Sequence, residues 1–314
     1  MDQQSFDFIV VGAGSAGSRH ARLLRELGAD VTITDPDASR FAAVEGVRSF
    51  VTGDATWDGY DGIVIAGPSV FHASQAEAAL ATGAAVLVEK PLAVNAADAA
   101  RVAASGGSRL MVGYNLRCHA PVAAVLAHAQ TIGPLLYVHA WCGSYLPDWR
   151  PGTDYRNSYS ARADLGGGVL LDASHELDLI VELLGTGVAV VGSRVERVGD
   201  LDLDVEDTVA ALLAGPTGTL ATVELDYLSP SYRRGIEVVG LDGTARYDWA
   251  SGVLEITSAE GSDREQVDAD VLDSYRRQAE RFVDLIDHGT AAPCGGPAGA
   301  EVVRLADAIR AGAA

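Results

Sequence analysis

The chain has 314 residues, 43 acidic against 23 basic, and a formal net charge of -20. Such a surface repels polyanions, so the composition argues against nucleic acid or an anionic membrane as a partner. With 48% hydrophobic residues, the length predicts two folded domains. No apolar run spans a bilayer, and the first residues lack the basic region of an export signal, so we expect a cytoplasmic protein. Three widely spaced cysteines predict free thiols and no metal site: Cys118, Cys142 and Cys294.

The first hundred residues alternate short apolar strands with helices. The predicted strands are 6–12, 31–35, 62–66 and 84–89, and the helices between them include 18–27 and 72–82. This alternation predicts a doubly wound parallel sheet with helices on both faces, in a first domain that covers residues 1–118.

From about Leu135 onward the pattern changes to strands joined by short turns that contain glycine. The predicted strands are 135–141, 188–197, 207–213, 219–227, 236–240, 244–248 and 253–256, with helices at 171–184, 273–287 and 298–310. Such turns suit antiparallel hairpins. We therefore predict a second, α+β domain over residues 119–314, built on a mostly antiparallel sheet.

The segment Gly12-Ala-Gly14-Ser-Ala-Gly17 joins the first predicted strand to the first helix. In dinucleotide-binding folds, the first glycine allows a tight turn, the second lets a pyrophosphate approach, and the third lets helix and strand pack. Asp35 ends the second strand, where a carboxylate accepts hydrogen bonds from both ribose hydroxyls. The carboxylate favours NAD over NADP, although the nearby Arg40 keeps NADP open as an alternative.

The basic residues comprise 22 arginines and a single lysine, Lys90. This lysine follows a predicted parallel strand, at the edge where open α/β sheets bind their ligands. Arginine cannot serve as a compact ammonium of tunable pKa, so a site that keeps lysine in an arginine-using chain is a candidate for catalysis. The alternative is a surface lysine at a strand end.

A second candidate cluster lies at Asp172 and His175, after a run of three glycines. Three positions apart on the predicted helix 171–184, the two side chains would share one face, where the carboxylate could orient a histidine acid or base. The alternative is a helix-capping aspartate beside a core histidine. Asp178 is interpreted as structural.

An aromatic and arginine-rich loop precedes the glycine run and is predicted to contact substrate. Tyrosine and tryptophan can stack on sugar faces, and arginine can bind a phosphate in bidentate fashion. The loop candidates are Trp149, Arg150, Tyr155, Arg156 and Tyr159. Arg150 and Arg156 could neutralise a diphosphate; a solvated loop or a subunit contact is the alternative. Arg117 and His119 are further candidates.

Five segments together resemble the Gfo/Idh/MocA oxidoreductases. They are the glycine turn followed by Ser18-Arg-His20, Pro68 to His72, Glu89-Lys-Pro91, Val112 to Arg117, and Gly166 to His175. The resemblance covers nearly the whole chain. It implies a Rossmann domain followed by a domain whose open-faced sheet forms a subunit interface, and hence a homodimer or homotetramer. It also implies hydride transfer between nicotinamide and a secondary alcohol of a sugar, sugar nucleotide or cyclitol. Of these, a sugar nucleotide is our first substrate prediction, because Arg150 and Arg156 could neutralise its diphosphate.

The resemblance also implies roles for particular residues. The family's catalytic lysine falls on Lys90, and its helical pair falls on Asp172 and His175, although inositol-dehydrogenase-like members have three residues between the pair where this chain has two. The predicted cofactor-binding residues are Gly12, Gly14, Ser15, Ala16, Gly17, Asp35, Pro68, His72, Glu89, Lys90 and Asn115. The predicted substrate-binding residues are the loop candidates, Arg117, Lys90, Asp172 and His175.

The resulting hypothesis places a substrate hydroxyl between Lys90 and His175. His175 would withdraw the hydroxyl proton as hydride leaves for NAD, and Lys90 would stabilise the negative charge on oxygen. One rival function is an NAD-dependent glycosidase that oxidises its sugar transiently. Another is a nucleotide-binding sensor without catalysis, which would have no need of Lys90, Asp172 and His175.

Overall fold

The computed structural model describes residues 5–44, 46–51, 57–267 and 269–312. The chain divides into two compact units, Met1–Asn115 with Leu272–Ala300, and Leu116–Val271 with Glu301–Ala314. The predicted domains were continuous and met after residue 118. The structure instead gives 272–300 to the first unit, because this segment packs into that unit's core. The N-terminal residues 1–4, which bear on the predicted lack of an export signal, lie outside the described part.

The first unit contains the predicted doubly wound sheet. Its six strands are β1 (Asp7–Val11), β2 (Asp30–Asp35), β3 (Arg48–Val51), β4 (Gly62–Ile65), β5 (Ala85–Val88) and β6 (Leu110–Val112), in the order β3-β2-β1-β4-β5-β6. All described pairings in this sheet are parallel. The order reverses between β1 and β4, and in such sheets a dinucleotide binds across this point, at the carboxyl ends of the strands.

Helices cover both faces of this sheet because their apolar sides complete its core. They are α1 (Ser15–Glu26), α2 (His72–Ala81), α3 (Ala96–Gly106) and most of α7 (Val271–His288). Phe282 of α7 lies against Phe8 of β1 with ring centroids 5.8 Å apart. The segment before the last helix, α8 (Gly296–Gly312), also joins the first unit, since Gly295 forms an antiparallel bridge with Met111. The predicted linker at 291–297 is therefore part of the sheet edge.

The second unit is built on the predicted, mostly antiparallel sheet of eight strands. They are β7 (Leu135–Gly143), β8 (Ala189–Glu196), β9 (Thr208–Ala214), β10 (Leu220–Asp226), β11 (Arg233–Gly240), β12 (Gly243–Asp248), β13 (Val253–Ser258) and β14 (Gly261–Gln266). The order is β14-β13-β12-β11-β7-β10-β9-β8. Among the described strand pairs of this second sheet, only the central β7–β10 pair is parallel. The hairpins predicted at the glycine turns join β9 to β10 and β11 to β12.

The helices of the second unit are α4 (Ala120–Ala129), α5 (Val169–Asp172), α6 (His175–Leu184) and most of α8. The single helix predicted over 171–184 is wrong. Ala173 leaves helical geometry (φ -95°, ψ 32°), so one helix ends at Asp172 and another begins at His175. The two side chains therefore do not share a helical face as predicted. Among the described helices, none has the length and apolar character needed to cross a bilayer.

Candidate functional site

The glycine turn after β1 has two glycines that the protein itself requires. Gly12 has φ +104°, and a Cβ there would come within 2.8 Å of the Ala66 backbone. A Cβ on Gly17 would lie 1.8 Å from the Gly12 carbonyl oxygen. Larger residues at these positions would push apart α1 and the strand ends, which is the packing role predicted for them.

Gly14 differs because no described neighbour requires a glycine there. Its φ is -71°, which any residue adopts, and an added Cβ would meet no atom within 4 Å. Gly14 is the N-cap of α1 and provides no side-chain cap, so its side chain satisfies none of the N–H groups of the first helical turn. Such a helix start binds a phosphate group well, and a pyrophosphate of a dinucleotide fits the gap left by the missing side chain.

Asp35 supports the turn and also suits a ribose. It is buried at the end of β2, where its Oδ2 accepts a hydrogen bond from the Ala13 N–H at 2.8 Å and its Oδ1 from the Asp37 N–H at 2.9 Å. Each carboxylate oxygen can accept a second bond, which leaves capacity for ribose hydroxyls. Arg40 lies 3.5 Å from carboxylate oxygens of both Asp35 and Asp37. Its charge is thus offset, which disfavours a 2′-phosphate and favours NAD.

A cleft of about 900 Å³ opens beside this turn, within the first unit. Its walls include the turn residues Gly14 and Ser15, together with Ser39 and Arg40 from the segment after β2. Ala16 was also predicted to bind the cofactor. Its side chain is partly buried and packs against the hydrophobic core of the first unit. The volume is in the range of small-molecule sites.

We expect Gly14→Val to leave folding intact and to weaken NADH binding about tenfold or more, a cost of about 1.4 kcal/mol. A Cβ at this position meets no described protein atom within 4 Å, and the valine side chain would fill the space predicted for the pyrophosphate. Fluorescence titration with NADH measures the affinity. Gly192→Val is the matched control, because a Cβ on Gly192 also meets nothing and the residue lies in β8. Wild-type NADH affinity in Gly14→Val would rule out this turn as the phosphate site.

Lys90 follows β5, so it lies on the same carboxyl edge of the sheet as the glycine turn after β1. Only β4 separates these strands, which puts the two strand ends about 10 Å apart. The Lys90 N–H donates to Glu89 Oε2 at 3.2 Å. Glu89 Oε1 lies 2.8 Å from Nε2 of His20, which is buried in α1. Lys90 is therefore held at the edge where a dinucleotide would extend.

Glu89 stays ionised in this setting. Burial, the largest effect, raises the pKa of its carboxyl, but the hydrogen bond from His20 and the charges of His20, Arg19 and Lys90 together lower that pKa to about 2. Lys90 thus lies next to a carboxylate that is negatively charged at neutral pH.

Three residues predicted to bind cofactor have other roles in the first unit. His72 is buried, and its ring nitrogens lie 2.7 Å from the Pro91 carbonyl and 3.0 Å from the Gly67 carbonyl. Asn115 is also buried and donates from Nδ2 to the Ser274 hydroxyl at 2.6 Å. Pro68 caps a short 3-10 turn that leads into α2. Both ring nitrogens of His72 and the amide nitrogen of Asn115 thus face partners in the protein, while the cofactor contacts of these three residues stay predictions.

Asp172 lies at the centre of a hydroxyl cluster in the second unit. It accepts hydrogen bonds from the Tyr159 hydroxyl, from the Ser160 hydroxyl at 2.6 Å and from the Tyr227 hydroxyl at 3.0 Å. Burial and the charge of Asp172 raise the pKa of Tyr227 well above its ordinary value, so this tyrosine remains a donor. Asp172 is neither a helix cap nor on one face with His175, and its carboxylate anchors the loop that carries Tyr159.

His175 begins α6, and the residues that follow it are ion-paired within the second unit. Glu176 accepts from Arg234 Nε at 2.6 Å, and the buried Asp178 accepts from Arg117 Nε at 2.9 Å. Arg117 also pairs with Glu182. The guanidinium predicted to bind substrate is therefore occupied by carboxylates of its own unit, whereas the structural interpretation of Asp178 agrees with its position.

The predicted substrate loop is tied to its own unit by several contacts. Trp149 lies edge-on to Tyr227 at 5.3 Å, and Arg150 lies over the Tyr159 ring at 5.8 Å. The Tyr155 hydroxyl accepts from the Asp202 N–H. Arg156 pairs with Asp154 and Asp202, both at 3.1 Å. One small pocket of about 10 Å³ lies among the loop residues, lined by Trp149, Arg150 and Tyr155.

The sequence interpretation missed several partners that define these sites. His20 is hydrogen-bonded to Glu89, which is 69 positions away in the chain. Tyr227 donates to Asp172 from 55 positions away, and Arg234 donates to Glu176 from 58 positions away. His20 belonged to a quoted motif, and its position on α1 was available as a signal. Nothing local marks the other two. His119, a further candidate, stacks on Trp249 with ring centroids 5.7 Å apart.

Both halves of the chain match known family models. A model described as an oxidoreductase family with an NAD-binding Rossmann fold matches residues 6–114. A model of the GFO/IDH/MocA C-terminal domain matches residues 123–246. The two matches together cover most of the chain.

Similar proteins agree with these matches. The dTDP-3,4-didehydro-2,6-dideoxy-alpha-D-glucose 3-reductase of Streptomyces violaceoruber is 32% identical over 76% of this chain and 72% of its own length. Inositol 2-dehydrogenase 3 of Saccharopolyspora erythraea is 30% identical over 92% of this chain and 86% of its own length. The solved structure of UDP-N-acetylglucosamine 3-dehydrogenase from Acidithiobacillus ferrooxidans has a TM-score of 0.80 at 25% identity, covering 99% of this chain and 98% of that one. The chain therefore belongs to the Gfo/Idh/MocA family of oxidoreductases and carries its NAD-binding Rossmann domain.

Proposed function

We propose that the chain is an NAD-dependent dehydrogenase that oxidises a secondary alcohol on a sugar or cyclitol ring, or reduces the matching ketone. The observation that carries the proposal is Lys90 at the end of β5, on the same sheet edge as the glycine turn. The relatives named above act on sugar nucleotides and on inositol, which supports a polyhydroxylated ring as the substrate class.

Lys90 is proposed to act on the substrate oxygen. Oxidation of the alcohol removes a hydride from carbon and a proton from oxygen, and negative charge builds on that oxygen. Bound NAD would accept the hydride. The Lys90 ammonium stabilises the oxygen charge, and in the reverse direction it polarises the ketone. The ionised carboxylate of Glu89 lies beside it. The prediction that His175 exchanges the hydroxyl proton stays a prediction.

The finer choice of substrate class depends on charge in the loop before α5. A sugar nucleotide was predicted because Arg150 and Arg156 could neutralise its diphosphate. Arg156 is already paired with Asp154 and Asp202, so Arg150 alone remains of that pair. The charge of the loop therefore does not favour a sugar nucleotide over a free cyclitol. Measuring turnover of both kinds of substrate decides between them.

The function is tested with a panel of UDP- and dTDP-sugars, free sugars and cyclitols, each with NAD or NADP. Formation of reduced nicotinamide is followed by absorbance. We expect turnover with NAD on at least one ring alcohol and a much lower kcat/KM with NADP, because Asp35 and Asp37 repel a 2′-phosphate. Cleavage of a glycoside without net NADH would instead indicate the glycosidase. NADH binding without turnover of any ring alcohol or ketone would contradict the proposal.

Assembly through the eight-stranded sheet is part of the proposal. Leu212 of β9 and Leu220 of β10 are 38% and 43% exposed, an apolar contribution to the sheet surface. We propose a homodimer or homotetramer formed by this sheet, and the mass in solution, measured by light scattering, tests it.

A further inference from the structure

His72 joins two strand-end segments at the carboxyl edge of the parallel sheet. Its Nδ1 lies 2.7 Å from the carbonyl of Pro91, the residue after Lys90, and its Nε2 lies 3.0 Å from the carbonyl of Gly67, which follows β4. The side chain is 1% exposed. A buried ring that touches only backbone carbonyls through its two nitrogens has no polar atom left for a cofactor. Its contacts therefore serve the geometry of the segments that it joins.

The Gly67 segment is in turn packed against the glycine turn. A Cβ on Gly12 would lie 2.8 Å from the Ala66 carbonyl carbon and 2.9 Å from the Gly67 nitrogen, so the two backbones are in close contact. A shift of the Gly67 segment would move the surface on which the turn rests.

The other side of the Lys90 segment is held by α1. Glu89 receives the Lys90 N–H and lies 2.8 Å from His20, which is in the helix that begins at the turn. A closed chain of contacts thus runs from the turn through His20, Glu89 and Lys90 to His72, and back through Gly67 to Gly12. Every member lies in the first unit.

We propose that His72 is a positioning residue that holds the Pro91 carbonyl, and with it Lys90, in register with the dinucleotide turn. The inference rests on the proposed catalytic role of Lys90. Of the two contacts, the one to Pro91 is the one that positions the lysine, because Pro91 is its direct neighbour and Gly67 is not.

The protonation of the ring agrees with this assignment. Burial, the largest effect, lowers the pKa of His72 despite its carbonyl partners, so the ring is neutral at pH 7 and carries one N–H. A single N–H donates to one carbonyl. We assign it to Nδ1, which has the shorter contact, so the hydrogen bond goes to Pro91, and the contact of Nε2 with the Gly67 carbonyl is then one of packing only. The titratable groups acting on the ring are Glu89, which favours its protonation, and Lys90, which opposes it.

Two substitutions separate the two contacts of the ring. Asparagine places an amide N–H near the position of Nδ1, and glutamine places one near the position of Nε2. We expect His72→Gln, which loses the Pro91 contact, to lower kcat roughly 10²-fold, as a displacement of about 1 Å can do. We expect His72→Asn to keep kcat near the wild-type value. Both variants should bind NADH with unchanged affinity, because the side chain does not reach the cofactor.

The single lysine offers a readout that does not require turnover. With ¹³C-labelled lysine the chain gives one side-chain Cε signal, from Lys90, and its titration reports the ammonium pKa. We expect this titration to shift in His72→Gln and to match the wild type in His72→Asn. Equal kcat and equal titration in the two variants would overturn the inference, as would a larger loss in His72→Asn.

Lys90→Met, measured in parallel, separates this inference from the proposed function. If Lys90→Met is inactive and His72→Gln behaves as wild type, the positioning role fails and the function stands. If Lys90→Met retains wild-type turnover, the proposed catalytic role of Lys90 fails, and the inference fails with it, whereas the proposed function fails only if the wild type turns over no ring alcohol or ketone. Thermal unfolding of both His72 variants confirms that a low kcat is measured on folded protein.

Discussion

Lys90→Met is expected to lower kcat about 10³-fold in either direction, within the range that a positioned acid–base or charge-stabilising group contributes. Methionine retains a flexible chain of similar length but cannot carry charge, so the developing oxyanion loses its cation. NADH affinity should remain near the wild-type value, because the glycine turn and Asp35, not Lys90, carry the predicted pyrophosphate and ribose contacts. Steady-state kinetics and NADH titration on the same preparation measure the two effects.

Lys90→Arg is the matched control for charge. Arginine keeps a cation at the end of β5 but cannot release a proton at accessible pH, and its planar group is larger than an ammonium. We expect a kcat between those of Lys90→Met and the wild type. We also expect the decrease in kcat at high pH that deprotonation of a lysine causes to be absent from the pH profile of Lys90→Arg. Wild-type activity in Lys90→Arg would show that position 90 needs only a cation. Wild-type activity in Lys90→Met would exclude the residue from catalysis.

The parallel half of the fold is predictable because its strands are short apolar runs, each bounded by a turn signal. β1 and β4 are almost wholly buried, so nearly all of their residues are apolar and each strand is visible in the sequence as a hydrophobic run. The opposite holds for β14, which is exposed at all six positions and consists of polar residues and glycine. It is a strand because the hairpin brings it alongside β13 at the sheet edge, and no periodicity in the sequence records that pairing.

The candidate sites show the same limit. The spacing of Asp172 and His175 suits one helix, but hydroxyl donors from 12 and 55 positions away bind the carboxylate, and the helix ends at that residue. Motif matching could identify Lys90 and the glycine turn, because strand-to-helix connections are local. It could not tell that His72 and Asn115 face backbone and side-chain partners of their own unit, since those partners are set by tertiary packing.

Two arginines that were predicted to bind substrate have carboxylate partners in the fold. Arg117 and Arg156 were predicted to bind substrate, yet both have carboxylate partners that lie 46 or more positions away, Asp178 for the first and Asp202 for the second. In a chain of net charge -20, an arginine meets a carboxylate of its own fold more readily than a ligand's phosphate. The structure therefore changes the substrate prediction more than it changes the cofactor prediction.

Asp172→Ala is expected to destabilise the second unit by about 3–5 kcal/mol. Its carboxylate satisfies the hydroxyls of Ser160 and Tyr227, which are 2% and 0% exposed, and that of the half-buried Tyr159. Hydrogen bonds to a charged group contribute about 1.5–3 kcal/mol each, and a buried hydroxyl left without a partner costs about 1–3 kcal/mol. Tyr159 can recover a bond from water, whereas the two buried hydroxyls cannot. Urea unfolding followed by tryptophan fluorescence measures the change in the free energy of unfolding.

The comparison variants separate structure from chemistry at this position. Asp172→Asn keeps one acceptor oxygen, and a hydroxyl can rotate to accept from the new amide, so a loss of about 1–2 kcal/mol is expected. Asp164→Ala is the matched surface control, because Asp164 is 60% exposed and pairs only with Arg162 among its described ion-pair partners; such pairs contribute about 0–1 kcal/mol. A loss in Asp172→Ala no larger than that in Asp164→Ala would contradict the anchoring role. If Asp172→Asn is nearly as stable as the wild type but has a much lower kcat, the carboxylate acts on the reaction as well as on the loop.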